Sequence, residues 1–253
     1  LQDRGGMAVF DMDDGYLAGP ADAVFQTATD LATRVLSRTG VTLNLRKCLA
    51  WSPTPNLVAN EIRSRPGTPF TAGTIPDGTA GPGLGVLVSG VPVGDTHFID
   101  YHVQSKVTSV LSQTQTIVSS LHDVSPQNLY ALLVYCVNTR VQHLSQCLHP
   151  ARTKSAFEHF DHAITQHIVT ATGSNPFQFD STSFPHDLLA QMLPAFRMRL
   201  PRRLSGGMMR SSRDIAPWAY LGGILLAVPS FTDRVSSDGS AIKGILRHLP
   251  RHL

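Results

Sequence analysis

Met7-Ala-Val-Phe-Asp-Met-Asp-Asp-Gly-Tyr-Leu-Ala-Gly19 is the stretch on which the reading of this chain turns. Apolar residues flank an acidic centre, and Asp14-Gly15 tolerates the positive φ of a tight turn, so a β-hairpin is expected. Carboxylates crowded at a hairpin tip repel one another unless divalent cations neutralise them. Two-metal sites set their ions about 3.5–4 Å apart on such groups. Mg2+ suits the pattern because it takes oxygen ligands and keeps waters beside substrate phosphates. A surface turn that merely favours Asp and Gly is the plain alternative.

Outward from the hairpin, Pro20 and Asp22 open a helix with Ala23, Val24, Ala28, Leu31, Val35 and Leu36 on one face, and Gly40 stops it. Val41 to Trp51 alternates and reads as a strand. Residues 52–83 are rich in Pro, Gly, Thr and Asn and read as an irregular insertion. Strand character returns from Leu84 to Gly94. Val103, Val107, Val110, Leu111, Thr114, Ile117, Val118 and Leu121 then fall on one helical face. Ser125-Pro126 is an N-cap and N1 pair opening a second helix to about Leu148. A third runs from about Arg152 to Thr172, and shorter helices are expected around the Arg-rich stretch 197–213.

Composition narrows the class. The chain has 253 residues, 42% hydrophobic and 15% charged, which favours folded structure with a real core over wholesale disorder. Three cysteines are too few for a disulfide framework and point to a reducing, intracellular setting, with nucleus and cytoplasm both open. The longest apolar run, Trp218 to Phe231, is too short for a membrane span and contains Pro229, so no membrane partner is expected. The net charge of +3 conceals an asymmetry. Residues 1–196 carry 11 Lys/Arg against 15 Asp/Glu, whereas 197–253 carry 10 against 3. Of the 21 basic residues 17 are Arg, whose planar fork fits phosphate, so the basic end is a candidate nucleic-acid surface. Arg197, Arg199, Arg202, Arg203, Arg210 and Arg213 are its candidate contacts; a merely solvated basic face is the alternative.

The order of these elements resembles the palm of reverse transcriptases of the non-LTR retrotransposon type. In that family a strand–turn–strand bears Tyr-x-Asp-Asp, and a helix leads to a Gly-Leu-x-Leu-Asn-x-x-Lys-Cys segment. Here Asp13 and Asp14 match the metal-binding pair, and Gly40-Val-Thr-Leu-Asn-Leu-Arg-Lys-Cys48 matches the segment, with Lys47 at the lysine. Leu87-Val-Ser-Gly-Val-Pro-Val-Gly94 is similar to the family's primer-gripping hairpin, which makes Gly90, Val91, Pro92 and Gly94 primer-binding candidates. The stretch from Arg199 to Gly222, with Gly206-Gly207 and Ala216-Pro-Trp-Ala-Tyr-Leu-Gly222, resembles a region downstream of the thumb in related elements.

The resemblance implies an α+β chain: a partial palm over 1–100 with the insertion at 52–83, a helical thumb-like domain over 101–196 and a basic helical extension over 197–253. It implies RNA-directed DNA synthesis by two-metal nucleotidyl transfer with Mg2+. RNA template, DNA primer and deoxynucleoside triphosphates would be the partners, and Lys47 would lie near the triphosphate. Two departures stand out. Asp11 takes the place of the usual aromatic residue, and the upstream fingers and palm with the first catalytic aspartate are not in these 253 residues, so the piece alone is expected to extend no primer.

Other readings remain open. One is a noncatalytic remnant that binds nucleic acid or only folds. Another is a haloacid-dehalogenase-like phosphatase with Asp11 as nucleophile and Asp13 as general acid/base. That reading suffers because Asp14 precedes Gly15, Tyr16 replaces a threonine, and no later strand ending in an acidic pair is evident. Cys136, His143, Cys147 and His149 lack a Cys-x-x-Cys pair and read as buried cysteines and a helix-end histidine rather than zinc ligands. Met208-Met209 reads as core, and Trp51 and Trp218 as packing residues.

Overall fold

The computed structural model describes residues 5–11, 14–44, 47–54, 56–66, 68, 70–72, 85–172, 199–200, 203 and 207–232. The chain divides into two compact units, Leu1–His102 and Val103–Leu253. Helices dominate, and the strands described form three two-stranded sheets, a mixed α and β content.

In the first unit, β1 (Met7–Asp11) pairs antiparallel with β2 (Asp14–Ala18), and Asp11 stands opposite Asp14. Residues 12 and 13 therefore make the connection, earlier than the Asp14-Gly15 turn expected from the sequence, and they lie outside the described residues. Gly15 has a different task. It faces Phe10 across the ladder, and a Cβ there would come within 3.0 Å of the Phe10 ring. This pair is the second from the turn, the non-hydrogen-bonded kind in which side chains approach most closely. Glycine lets the ring lie across the partner strand. Although apolar in sequence, β1 is exposed, with Met7 at 44% and Phe10 at 63%, because a lone two-stranded sheet has no second layer to cover it.

Helix α1 (Ala21–Asp30) buries Ala23, Phe25 and Ala28 and passes into a π-helical segment, Leu31–Leu36, and a last turn α2, Ser37–Thr39. The Thr29 and Thr33 hydroxyls donate back to the carbonyls of Phe25 and Thr29, at 3.0 and 2.8 Å, the kind of side-chain competition that distorts helices. Gly40 ends the run at φ +73°. The strand expected over 41–51 shrinks to β3, Leu49–Ala50. Before it the Asn44 carbonyl accepts the Lys47 N–H at 2.9 Å, a turn in place of extended backbone. The insertion expected to be irregular contains α3, Leu57–Ser64, and β4, Thr71–Ala72, which pairs parallel with β3. Its residues 73–84 lie outside the described set. Phe70 meets Phe25 edge to face, with centroids 5.2 Å apart.

Strands β5 (Gly85–Val88) and β6 (Val91–Gly94) form the next hairpin. Its two loop residues, Ser89 at φ 48° and Gly90 at φ 77°, both take the positive φ of a type I′ turn. Pro92 sits opposite Leu87, a non-hydrogen-bonded position where a missing N–H breaks no ladder bond. The Asp95 carboxylate accepts the Phe98 N–H at 2.9 Å and caps α4, Thr96–Leu121, which thus starts well before Val103. Phe98 packs so closely on Gly85 that a Cβ there would enter its ring.

The second unit holds the rest of α4, then α5 (Pro126–Leu132) with a π-helical extension Leu133–Val137, α6 (Gln142–Cys147), α7 (Pro150–Thr172) and α8 (Ser212–Thr232). The helix read as continuous to Leu148 breaks over 138–141. Val103, Leu129, Leu133, Leu144, Phe157, Phe160 and Ile164 are sealed from solvent. α8 packs on α6 and α7, and Gly223 allows this, because a Cβ there would collide with the Gln146 carbonyl. The first four N–H groups of α8 are all satisfied. Asp161 of α7 takes those of Ser212 and Arg213 at 2.9 and 3.1 Å, the Ser211 hydroxyl takes that of Asp214 at 3.1 Å, and the Ser211 carbonyl takes that of Ile215. Ser211 also donates its hydroxyl proton to Asp161 at 2.8 Å. Among the described residues no helix is long and apolar enough to cross a membrane.

Candidate functional site

Alternation along β2 puts Asp14 and Tyr16 on one face of the first hairpin. The Tyr16 hydroxyl donates to Asp14 Oδ2 over a long 3.5 Å. The Tyr16 hydroxyl oxygen accepts the Ser89 N–H at 3.0 Å and the Ser89 hydroxyl at 3.4 Å, a link between positions 73 residues apart. Tyr16 thereby joins the acidic hairpin to the turn of the β5–β6 hairpin. The Asp14 carboxylate is exposed. Its hard oxygen donors fit a cation such as Mg2+, which binds through one or two carboxylates and keeps waters.

The other candidates are distributed as follows. Asp13 lies outside the described residues, and of Asp11 only the strand backbone is described. Lys47 is exposed in its tight turn, and no ion pair joins it to Asp14. Gly90 sits in the turn that Tyr16 holds, and a Cβ on it would meet open space. Val91 and Gly94 are half-buried, and Pro92 is buried, its ring packed away rather than presented at the surface. Among the described residues no three His, Cys, Asp or Glu side chains cluster as a metal site, and no later strand ends in an acidic pair.

Arg197 and Arg202 lie outside the described residues. Arg199 pairs with Asp214 at 2.7 Å and Arg213 with Glu158 at 3.1 Å. Arg203 and Arg210 are exposed and enter no ion pair among the described residues. The described arginines of the basic stretch thus split into two that bind the fold's own carboxylates and two that face solvent.

Several lesser expectations change. Cys136 and Cys147 are exposed, not buried. His149 Nδ1 accepts the Ala151 N–H at 3.2 Å and its ring meets Tyr220 edge to face, so it serves the start of α7. Met209 is buried as expected, but Met208 is exposed. Trp218, read as a packing residue, is 63% exposed. Burial lowers the pKa of His143 and His167, and Lys106 adds to the effect at His143.

Sequence reading passed over Tyr16 and Asp161. The first carried a usable signal, since a residue two places from an acidic position on a strand shares its face. The second carried none, because its partners lie 50 to 52 residues away. Compared with known proteins, the chain matches no family model, no curated protein and no solved structure.

Proposed function

We propose that the first unit carries the metal-binding and chain-end-binding hairpins of an RNA-directed DNA polymerase, and that the second unit supplies its thumb and basic extension. The observation that carries this reading is the Tyr16 hydroxyl, which brings the Asp14 hairpin and the Ser89-Gly90 turn together. Two hairpins adjacent in space, one acidic and one with a glycine-opened turn, are what nucleotidyl transfer asks of a chain. One hairpin must hold cations beside phosphate, and the other must hold the end of a nucleic-acid strand.

In this reading Asp13 and Asp14 hold Mg2+, which when bound neutralises the charge that builds on the transferred phosphate. The Ser89-Gly90 turn leaves space above Gly90 for a primer sugar and phosphate to approach the backbone. Lys47 offers a cation for the triphosphate. The helical second unit follows the duplex by shape and phosphate contact, with Arg203 and Arg210, which enter no ion pair among the described residues, among its phosphate contacts.

Filter binding of an RNA–DNA primer–template by the 253-residue chain tests the reading. Mg2+ is expected to tighten binding to the parent chain and not to Asp14→Asn. Failure to bind the duplex at low salt, or an equal Mg2+ response in both proteins, contradicts it. Duplex binding with no Mg2+ response in either protein favours the noncatalytic remnant.

A further inference from the structure

We infer that Tyr16 is a positioning residue, whose hydroxyl holds the metal-binding carboxylate of Asp14 and the Ser89-Gly90 turn in one fixed register. The inference rests on the two-hairpin reading above and adds to it the group that makes two hairpins into one site.

The geometry uses both capacities of a phenol, which accepts through oxygen and donates one proton. As acceptor, Tyr16 Oη takes the Ser89 N–H at 3.0 Å. That N–H belongs to a residue at φ 48°, in the left-handed region that a non-glycine residue enters at some cost. As donor, the hydroxyl faces Asp14 Oδ2 at 3.5 Å. A short bond would compete with a cation for that oxygen, whereas at 3.5 Å the contact is weak and leaves it available. The ring also lies where the β1–β2 ladder fixes it, opposite Val9 and two residues beyond Asp14. Tyr16 Oη thus touches both hairpins, through Asp14 on one and Ser89 on the other. Loss of the hydroxyl is therefore expected to separate the turn from the carboxylate while leaving each hairpin formed.

The test is amide NMR of the full 253-residue chain, labelled with nitrogen-15, as the parent protein, Tyr16→Phe and Asp14→Asn. Without metal, the Ser89 amide is expected to exchange about fivefold faster in Tyr16→Phe, the size of one ordinary hydrogen bond. Exchange at Val86 and Val93, in the ladder itself, should stay as it is. With Mn2+ as a paramagnetic probe, the parent should show line broadening at both Gly15 and Ser89-Gly90. In Tyr16→Phe, broadening is expected to persist at Gly15 and to fall at Ser89-Gly90. A ring that only packs would be indifferent to loss of its hydroxyl, so unchanged Ser89 exchange and unchanged broadening overturn the inference. Broadening that is as strong in Asp14→Asn as in the parent removes the metal role of this hairpin instead. The metal-free exchange of Ser89 still decides the Tyr16 link in that case.

Discussion

In the first unit the buried apolar side chains described are Ala23, Phe25, Ala28, Pro92 and Phe98, while Met7, Val9 and Phe10 of the leading strand face solvent. In the second, Val103, Leu129, Leu133, Leu144, Phe157, Phe160 and Ile164 come from five different helical segments and are closed off completely. The difference follows from the elements. A two-stranded hairpin has no second layer to cover it, whereas helices of six to 26 residues bury stripes against one another. The candidate site residues Asp14 and Tyr16 sit where burial is thin.

The strongest way to break this comparison is to open each core. Phe157→Ala should cost the second unit about 3–5 kcal/mol, the usual loss for a sealed phenylalanine. Phe25→Ala should cost less, because the described core of the first unit is smaller. Urea unfolding followed by circular dichroism measures both, and equal losses would erase the contrast. Next in size, Asp161→Ala should cost roughly 2–3 kcal/mol, since two backbone N–H groups and the Ser211 hydroxyl lose their acceptor at once. Asp161→Asn, which keeps one carbonyl oxygen, should lose less.

Adjacent glycines of α8 sharpen the same point with opposite signs. Gly223→Ala should destabilise by about 1–3 kcal/mol through collision with the Gln146 carbonyl. Gly222→Ala meets open space and should stabilise the helix by about 0.5–1 kcal/mol. Thermal melts of the two variants give the signs directly.

Smaller effects separate the arginines. Arg199→Gln and Arg213→Gln should each change stability by less than about 1 kcal/mol, as exposed ion pairs do. Arg203→Gln with Arg210→Gln should leave stability alone and lower the log–log salt slope of duplex-DNA binding by about two, at roughly 0.9 per phosphate contact. A slope that falls only when Arg199 and Arg213 are changed would reverse the assignment. The smallest effect is with pH. His143 and His167 have lowered pKa values in the folded chain, so the unfolded chain takes up protons first as pH falls below the ordinary value of 6.5. Stability of the second unit should therefore decline modestly below that point and hold steady above it. His143→Gln with His167→Gln should flatten the decline.

The sequence made the hairpin at 7–18, the second hairpin before Gly94 and the helices α4 and α7 legible, because each carries a period or a turn signal of its own, whereas α8 runs for 21 residues where only shorter helices are expected from the sequence. It misplaced the first turn, since Asp14-Gly15 is a turn dipeptide by propensity, whereas the ladder needed Gly15 under the Phe10 ring. It missed α3, where Pro53 and Pro55 upstream and Pro66 and Pro69 downstream masked eight helical residues between them. The break at 138–141 left no apolar gap to read. At the candidate site, Asp14 and the Ser89-Gly90 turn stood out as separate motifs. Their meeting through one phenol depends on a contact across 73 residues, and no local pattern encodes it.

The most direct measurement is an electron paramagnetic resonance titration of Mn2+ into the parent chain, Asp13→Asn and Asp14→Asn, with circular dichroism to show that all three fold alike. The parent should bind Mn2+ weakly, with Mg2+ as competitor, and both variants should lose that binding with their helical signal intact. Mn2+ binding that survives both substitutions would contradict the assignment of the acidic hairpin as a metal site.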